Sequence, residues 1–501
     1  MCGVLSRELP NSFSQSAKIL TVEEYEALPD PDFRDYFLQV LQASGVRRLL
    51  RQRGSRSWIV GLSPHLRRGV PWRWAFRRFP SIPMETCRGW WWARGSSERR
   101  RAFCGDMQAI QPHLQKSPST ALAQVRGAAR EYNPENVYLT DRLASPSLAT
   151  GFWDKLATDR SPLTFSTEAT GSVSREMVRL LRGAGARIVQ LGIESFDACD
   201  LRAMGKPTTV IHNIATLRHF AELGMWPFWS YLGPAPGSQV HDSHRVAEII
   251  RCVTHLAPPN PPGVKAIAIY LYSRYFENSA LYGLGRLRSL PRMRTIYPLP
   301  EQSLQRLAHD FIPEAPPARD LAVVKGAILA WVKVHWRSHL LFIAGRRAAW
   351  LLDTLPHCNR PKLLRRLKKE EASIYECCHE PEPLSMVCGY SRRDGADVAR
   401  ILDRFIREGT MLSEGGVYLS LAVAPSSQYL WYRQTSPSDL LSRYPLTEGA
   451  TIATHFGLSF RAATALLSGM VMAKIVSVLL SVRWCLGCLV VRATALLLRR
   501  A

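Results

Sequence analysis

Two cysteines, Cys87 and Cys104, bracket a tryptophan-rich stretch that begins Cys87-Arg88-Gly89-Trp90-Trp91-Trp92 and closes on Phe103-Cys104-Gly105. A thiolate is a soft metal ligand and the usual anchor of iron in clusters, so Cys87 and Cys104 are the candidate metal ligands. Acidic and hydroxyl groups recur beside glycines further on, at Glu168, at Gly192, Glu194 and Ser195, and at Gly233 and Gly237. These types suit a small ligand: the side chains hydrogen-bond polar groups, and glycine admits close backbone approach without a Cβ clash. Singly, each also reads as a turn glycine or a surface carboxylate. Two further cysteine groups say less. Cys485-Leu486-Gly487-Cys488 lacks a second pair for zinc, and Cys377-Cys378-His379 reads as a partly buried thiol pair, because adjacent side chains diverge.

Positioning such groups takes a regular scaffold, and the periodicity beyond residue 118 supplies one. It predicts helices over 118–131, 150–157, 174–183, 208–223 and 242–255, and short apolar strands over 136–141, 163–168, 186–192, 226–232 and 264–270. Strands alternating with helices signal a parallel sheet of βαβ units. Such sheets carry their sites at the carboxyl ends of the strands, where the polar groups fall here. Residues 301–375 read as mainly helical, and 392–418 as a small helical unit ending in a strand. From 462 to 500 the chain is apolar except for Lys474, Arg483 and Arg492. That stretch is long enough to span a bilayer, but a central lysine costs about 2.5–3.5 kcal/mol there. A buried helix or an aberrant end is preferred over membrane contact through 462–500.

The chain has 501 residues and a net charge of +24, and only 11 of its 65 basic residues are lysine. Residues 46–101 hold 15 arginines against Glu85 and Glu98. No nucleic-acid module accompanies this block, so it reads as a solvated basic segment rather than a nucleic-acid surface. With 46% hydrophobic and 21% charged residues the chain is of globular type. Its 11 cysteines are odd in number and irregularly spaced, and no secretory signal precedes them. A cytoplasmic location is expected.

Together, the order and spacing of these segments resemble one family, the radical S-adenosylmethionine (radical SAM) proteins that mature ribosomally made peptides (RiPPs). Many of these are cobalamin-dependent C-methyltransferases. The resemblance rests on Leu28-Pro29, Asp35-Tyr36-Phe37, Ile82–Gly89 and Phe103-Cys104-Gly105, then Thr140-Asp141, Thr167-Glu168, Gln190-Leu191-Gly192-Ile193-Glu194-Ser195 and Met204-Gly205-Lys206. It continues through Trp229-Ser230-Tyr231-Leu232-Gly233-Pro234-Ala235-Pro236-Gly237, His255–Pro259, Arg274-Tyr275-Phe276 and Tyr418–Val423, and so covers roughly residues 25–425.

The resemblance implies an α/β fold, a partial (β/α) radical SAM-type barrel followed by a mainly helical C-terminal region. The expected domains are a remnant linker and Arg-rich segment at 1–81, the barrel at 82–300, a helical domain at 301–425 and an apolar basic tail at 426–501. The implied cofactors are a [4Fe–4S] cluster on Cys104 and Cys87 and S-adenosylmethionine. Glu168 would face its methionine ammonium, Gly192, Glu194 and Ser195 its ribose, and Gly233 and Gly237 its adenine. Cobalamin belongs to the family, but the roughly 80 residues before the cluster loop are expected to hold no domain for it. The loop itself departs from the family's RGCWW…CxFCG: Trp90 stands at the first cysteine and Arg101 at the second, leaving Cys104 as the match. Arginine offers no lone pair to iron. The expected activity is modification of a precursor peptide at an unactivated carbon, including C-methylation, with other maturation proteins as further partners. The alternatives are a non-catalytic peptide- or partner-binding relative and a decayed or frame-disturbed gene product.

Overall fold

The computed structural model describes residues 21–30, 82–88, 102–104, 113–132, 136–141, 148–159, 163–238, 242–260, 262–314, 321–345, 348–356 and 364–426, and isolated positions 32, 134, 429 and 432. The chain divides into two compact units. One comprises residues 1–100, 106–168 and 183–185, the other 101–105, 169–182 and 186–501. Trp90, Arg101, most of the Arg-rich block and the segment 462–500 lie outside the described residues. No helix among the described residues is long and apolar enough to cross a membrane.

The first unit contains α1 (Val22–Glu26), β1 (Ile82–Met84), β2 (Cys87–Arg88), β3 (Leu114–Gln115), α2 (Pro118–Tyr132), β4 (Val137–Leu139), α3 (Asp154–Thr158) and all but the last two residues of β5 (Phe165–Thr170). Strands β1, β4 and β5 pair in parallel, with Ile82 beside Val137 and Val137 beside Phe165. Strands β2 and β3 form a separate antiparallel pair. Helix α2 buries Ala121, Leu122, Val125, Ala128 and Tyr132, a helical stripe of one apolar face.

The second unit continues the alternation with α4 (Arg175–Gly183), β6 (Ala186–Glu194), α5 (Ala198–Ala203), α6 (Val210–Glu222), β7 (Pro227–Leu232), α7 (Ser243–Cys252) and β8 (Val264–Lys265). Strands β6, β7 and β8 are again parallel. Parallel strands interleaved with helices make the fold α/β, as expected, with a partial barrel's complement of six such strands among the described residues. Helix α6 is buried along its length except at His212. Phe196, Trp229, Tyr231 and Trp331 form an aromatic cluster with ring centroids 5.5–6.4 Å apart.

Next come β9 (Ile269–Tyr270), α8 (Arg274–Glu277), β10 (Leu287–Ser289), α9 (Pro291–Ile296), α10 (Glu301–Leu307) and β11 (Asp310–Pro313). The single strand expected over 264–270 is therefore two. Lys265 still pairs with β7, whereas Ile269 pairs antiparallel with Phe311 in another sheet. The chain changes sheets across 266–268.

The C-terminal part carries α11 (Ala322–Val334), β12 (Leu340–Ala344), β13 (Ala349–Asp353), β14 (Leu364–Leu367), α12 (Lys369–Cys377), β15 (Glu382–Pro383), α13 (Leu384–Ser391), α14 (Gly395–Arg407), β16 (Met411–Glu414) and β17 (Val417–Ser420). Helices predominate, as expected. Residues 340–367, however, form an antiparallel meander, β12-β13-β14, inside the stretch read as helical. Short apolar runs such as Leu340–Ala344 do not reveal by periodicity whether they are strand or helix.

Candidate functional site

In the second unit, β6 ends on Glu194, whose φ of +65° is left-handed. That conformation costs a non-glycine residue on the order of 1–3 kcal/mol and needs support from its surroundings. Asn213, fully buried in α6, supplies it by donating to the carbonyls of Ile193 (3.0 Å) and Ser195 (3.3 Å). The Glu194 carboxylate pairs with Lys206 Nζ at 3.2 Å, and the lysine side chain is only 1% exposed. Lys265, on β8, donates to Ser230 Oγ at 2.9 Å, and burial pulls its ammonium below the usual lysine range. The strand end is thus a buried charged pair with a second lysine near it.

Ser195 is fully buried and its hydroxyl is turned inward: it accepts from the Asp197 amide at 3.0 Å and lies 3.3 Å from the Tyr231 hydroxyl. Asp197 caps α5, accepting from the amides of Cys199 (2.7 Å) and Asp200 (3.0 Å). Gly233 follows β7 at a cis Gly233–Pro234 peptide and donates its N–H to the Lys265 carbonyl at 3.1 Å. Gly237 adopts φ +77°, and a Cβ there would stand 2.8 Å from Tyr282 Cδ1. Its lack of a side chain admits Tyr282. Gly192 lies within β6, and its carbonyl would be 2.7 Å from a Cβ on Gly171.

Cys104 belongs to this unit, in a segment held at Ala102. The Ala102 amide donates to the Met204 carbonyl at 2.8 Å, and its carbonyl accepts from the Tyr275 amide at 2.9 Å. The Phe103-Cys104 corner is thereby tied to the residues after α5 that lead to Lys206. A cavity of about 340 Å3 also opens in this unit, among Phe196, Asp197, Ile211, Arg245, Val246 and Glu414.

Glu168 and Cys87 lie in the first unit. Glu168 is half-buried near the end of β5, which runs two residues beyond the expected strand end. Cys87 is buried, and its backbone N–H donates to Asp141 Oδ1 at 3.0 Å. Asp141 follows β4 and also accepts from the Thr86 amide (2.6 Å) and hydroxyl. Burial, then the nearby Asp141 and Glu85, push the Cys87 thiol well above the usual range.

Burial likewise raises the Asp141 carboxyl to about 6 from 3.8, although the bonds from Thr86 and Cys87 act the other way. The folded state therefore binds more protons than the unfolded chain between those values, so this group's stabilisation is complete below 3.8 and lost as pH rises through about 6. Asp141→Asn removes that dependence. Thermal unfolding at stepped pH should show the variant gaining on wild type as pH rises through this window, and a constant difference would refute the assignment.

A [4Fe–4S] cluster requires three thiolates with one iron left open. The stretch 82–105 offers two cysteines, of which only Cys104 falls on a thiolate position of the resembled loop, with Trp90 and Arg101 at the other two. The other cysteine, Cys87, is buried beside a carboxylate, in the wrong setting for a thiolate. Among the described residues no three His, Cys, Asp or Glu side chains gather where they could hold a metal. These residues do not fit the cluster. Cys377 and Cys378 are a partly buried thiol pair as expected, and burial first, then Cys377 and Glu382, push Cys378 up to about 12.

The sequence reading missed Asn213 and Asp200, which bond the segments at the strand ends, and Gly171, whose missing Cβ leaves room for Asn213 and the Gly192 carbonyl. A sequence signal existed for Asn213: the run from Val210 to Ala221 is apolar on too many sides for a surface helix, so a polar residue within it must be buried and bonded.

No family model and no curated protein matches the chain. Among solved structures it is similar to the radical S-adenosylmethionine methyltransferase TsrM from Kitasatospora setae, with tryptophan substrate and aza-SAM bound. The identity is 15% and the TM-score 0.34, over 43% of this chain and 41% of that one. The cobalamin-dependent S-adenosylmethionine radical enzyme OxsB, with aqua-cobalamin and S-adenosylmethionine bound, gives 14% and 0.34 over 76% and 56%. Coproporphyrinogen III oxidase (HemN) from Escherichia coli, a radical SAM enzyme, gives 12% and 0.23 over 62% and 77%. The chain spans about two fifths of the length of TsrM. At such values the likeness assigns neither family nor activity.

Proposed function

We propose that the protein is a radical SAM-type member of RiPP maturation that binds S-adenosylmethionine and a precursor peptide without building a cluster. The observation that carries this reading is the contrast between the Gln190–Ser195 strand end and the stretch 82–105. The Gln190–Ser195 strand end is fully braced, with Glu194 held left-handed by Asn213 and paired with Lys206. The cluster loop lacks the thiols its place requires. The braced Glu194 carboxylate would accept from ribose hydroxyls, and the turn at Gly233 would offer its backbone to a flat base. The cavity at Phe196, Ile211 and Val246 offers apolar surface to a peptide side chain. Cobalamin has no candidate residues among the described ones, and no step is routed through it or through iron.

Anaerobic reconstitution with iron and sulfide, followed by calorimetry with S-adenosylmethionine, tests the proposal. The expected result is fewer than the four irons of a complete cluster per chain, no reductive cleavage of S-adenosylmethionine, and saturable binding of it. Stoichiometric cluster assembly with cleavage overturns the non-catalytic part. Absence of S-adenosylmethionine binding overturns the whole.

A further inference from the structure

We infer that Asp200 is a positioning residue, whose carboxylate fixes the Gly233–Gly237 turn against the end of β6. This rests on the S-adenosylmethionine reading of that strand end. Asp200 is fully buried on α5, and its own amide is tied to the Asp197 cap at 3.0 Å. One carboxylate oxygen accepts from the Ala235 amide, in the middle of the turn, at 3.1 Å. The other lies 3.5 Å from Ser195 Oγ, which donates to it, and 3.5 Å from where a Cβ on Gly233 would stand.

The residue therefore joins the strand end at Ser195 and its own helix to the turn at Gly233–Ala235, 35 residues further along the chain. Ala235 is itself 1% exposed, so water does not replace the lost acceptor in that place. A buried amide without an acceptor drives its turn to rearrange. The turn then no longer presents one fixed surface to a ligand. The Ser195 hydroxyl would also lose its contact with Asp200, while keeping the bond from Asp197 and its contact with the Tyr231 hydroxyl.

The test compares Asp200→Ala and Asp200→Asn with wild type for S-adenosylmethionine binding by calorimetry and for amide exchange at Ala235. Val398→Ala, in the core of α14, serves as a destabilised control. Asp200→Ala should weaken binding about tenfold or more, the fold-change of one lost buried hydrogen bond, and expose the Ala235 amide to exchange. Asp200→Asn keeps one acceptor oxygen and should recover most of both. The control should bind as wild type does. Unchanged binding and protection in Asp200→Ala, or an equal loss in Val398→Ala, overturns the inference alone. Failure of wild type to bind S-adenosylmethionine overturns the reading of the site and this inference with it.

Discussion

Arg218→Met lowers the free energy of unfolding by about 3–5 kcal/mol, the cost of removing one member of a buried ionic group. Arg218 is fully buried in the middle of α6. Its guanidinium donates to the carbonyls of Ser420 (3.1 Å) and His379, and stands 3.9 Å from Glu222 one turn along the helix. Glu222, whose side chain is 4% exposed, also meets His379 Nε2 at 3.1 Å and Arg175 at 3.4 Å. Methionine keeps much of the stem but leaves that carboxylate short of its nearest buried cation. Arg175→Met removes a cation that is 52% exposed and should cost less than about 1 kcal/mol.

The same group has an acid signature. Burial alone would raise the Glu222 carboxyl, but Arg218 and then His379 outweigh it and hold the group at about 2. The unfolded chain binds more protons below 4.5, so the stabilisation is present above that value and lost as pH falls toward about 2. Arg218→Met should shrink this acid-sensitive part along with the urea midpoint. A variant unfolding at the wild-type midpoint would show that the network contributes nothing.

Trp331→Ala is the second large effect, about 3–5 kcal/mol for emptying a buried indole site. Trp331 is fully buried in α11, 5.8 Å from Trp229 and 6.2 Å from Phe196 by ring centroid. Its Nε1 donates to the Leu256 carbonyl at 3.0 Å. Alanine leaves a void beside two aromatic rings and strips that carbonyl of its donor. Leu329→Ala, on the same helix but 51% exposed, should stay within about 0.5 kcal/mol of wild type. Equal denaturant midpoints for the two variants would disprove the placement of Trp331 in the core.

The alternating half of the fold was legible because its elements obey one period each. The run 186–192 alternates into a strand and 208–223 carries enough apolar residues for a buried helix, and both stand within two residues of β6 and α6. The meander was not legible, since Leu340–Ala344 is uniformly apolar and its partners Ala349–Asp353 and Leu364–Leu367 declare themselves only on pairing. For the site, motif residues such as Glu194 could be named from sequence. Their supports could not: Asp200 looks like a solvated helix residue, and Arg218, though set in an apolar run, does not name its partners, until the segments they bond, 35 and more than 160 residues away in sequence, are brought to them. Long-range bonds of this kind leave no local pattern.

The two units do not respect the order of the chain. Residues 101–105 belong to the second although what flanks them belongs to the first, and Ala102 there accepts from Tyr275 and donates to Met204. In return, residues 183–185 belong to the first, where the Gly185 carbonyl takes the Phe165 amide. Each unit is completed by a short peptide lent from the other's stretch of sequence. Neither can be excised as a cassette or exchanged between relatives at a single junction without leaving backbone groups of the remainder unmet. Recombination at residue 105 or 185 should fail where a surface-loop junction succeeds, and the two halves are bound to vary as one.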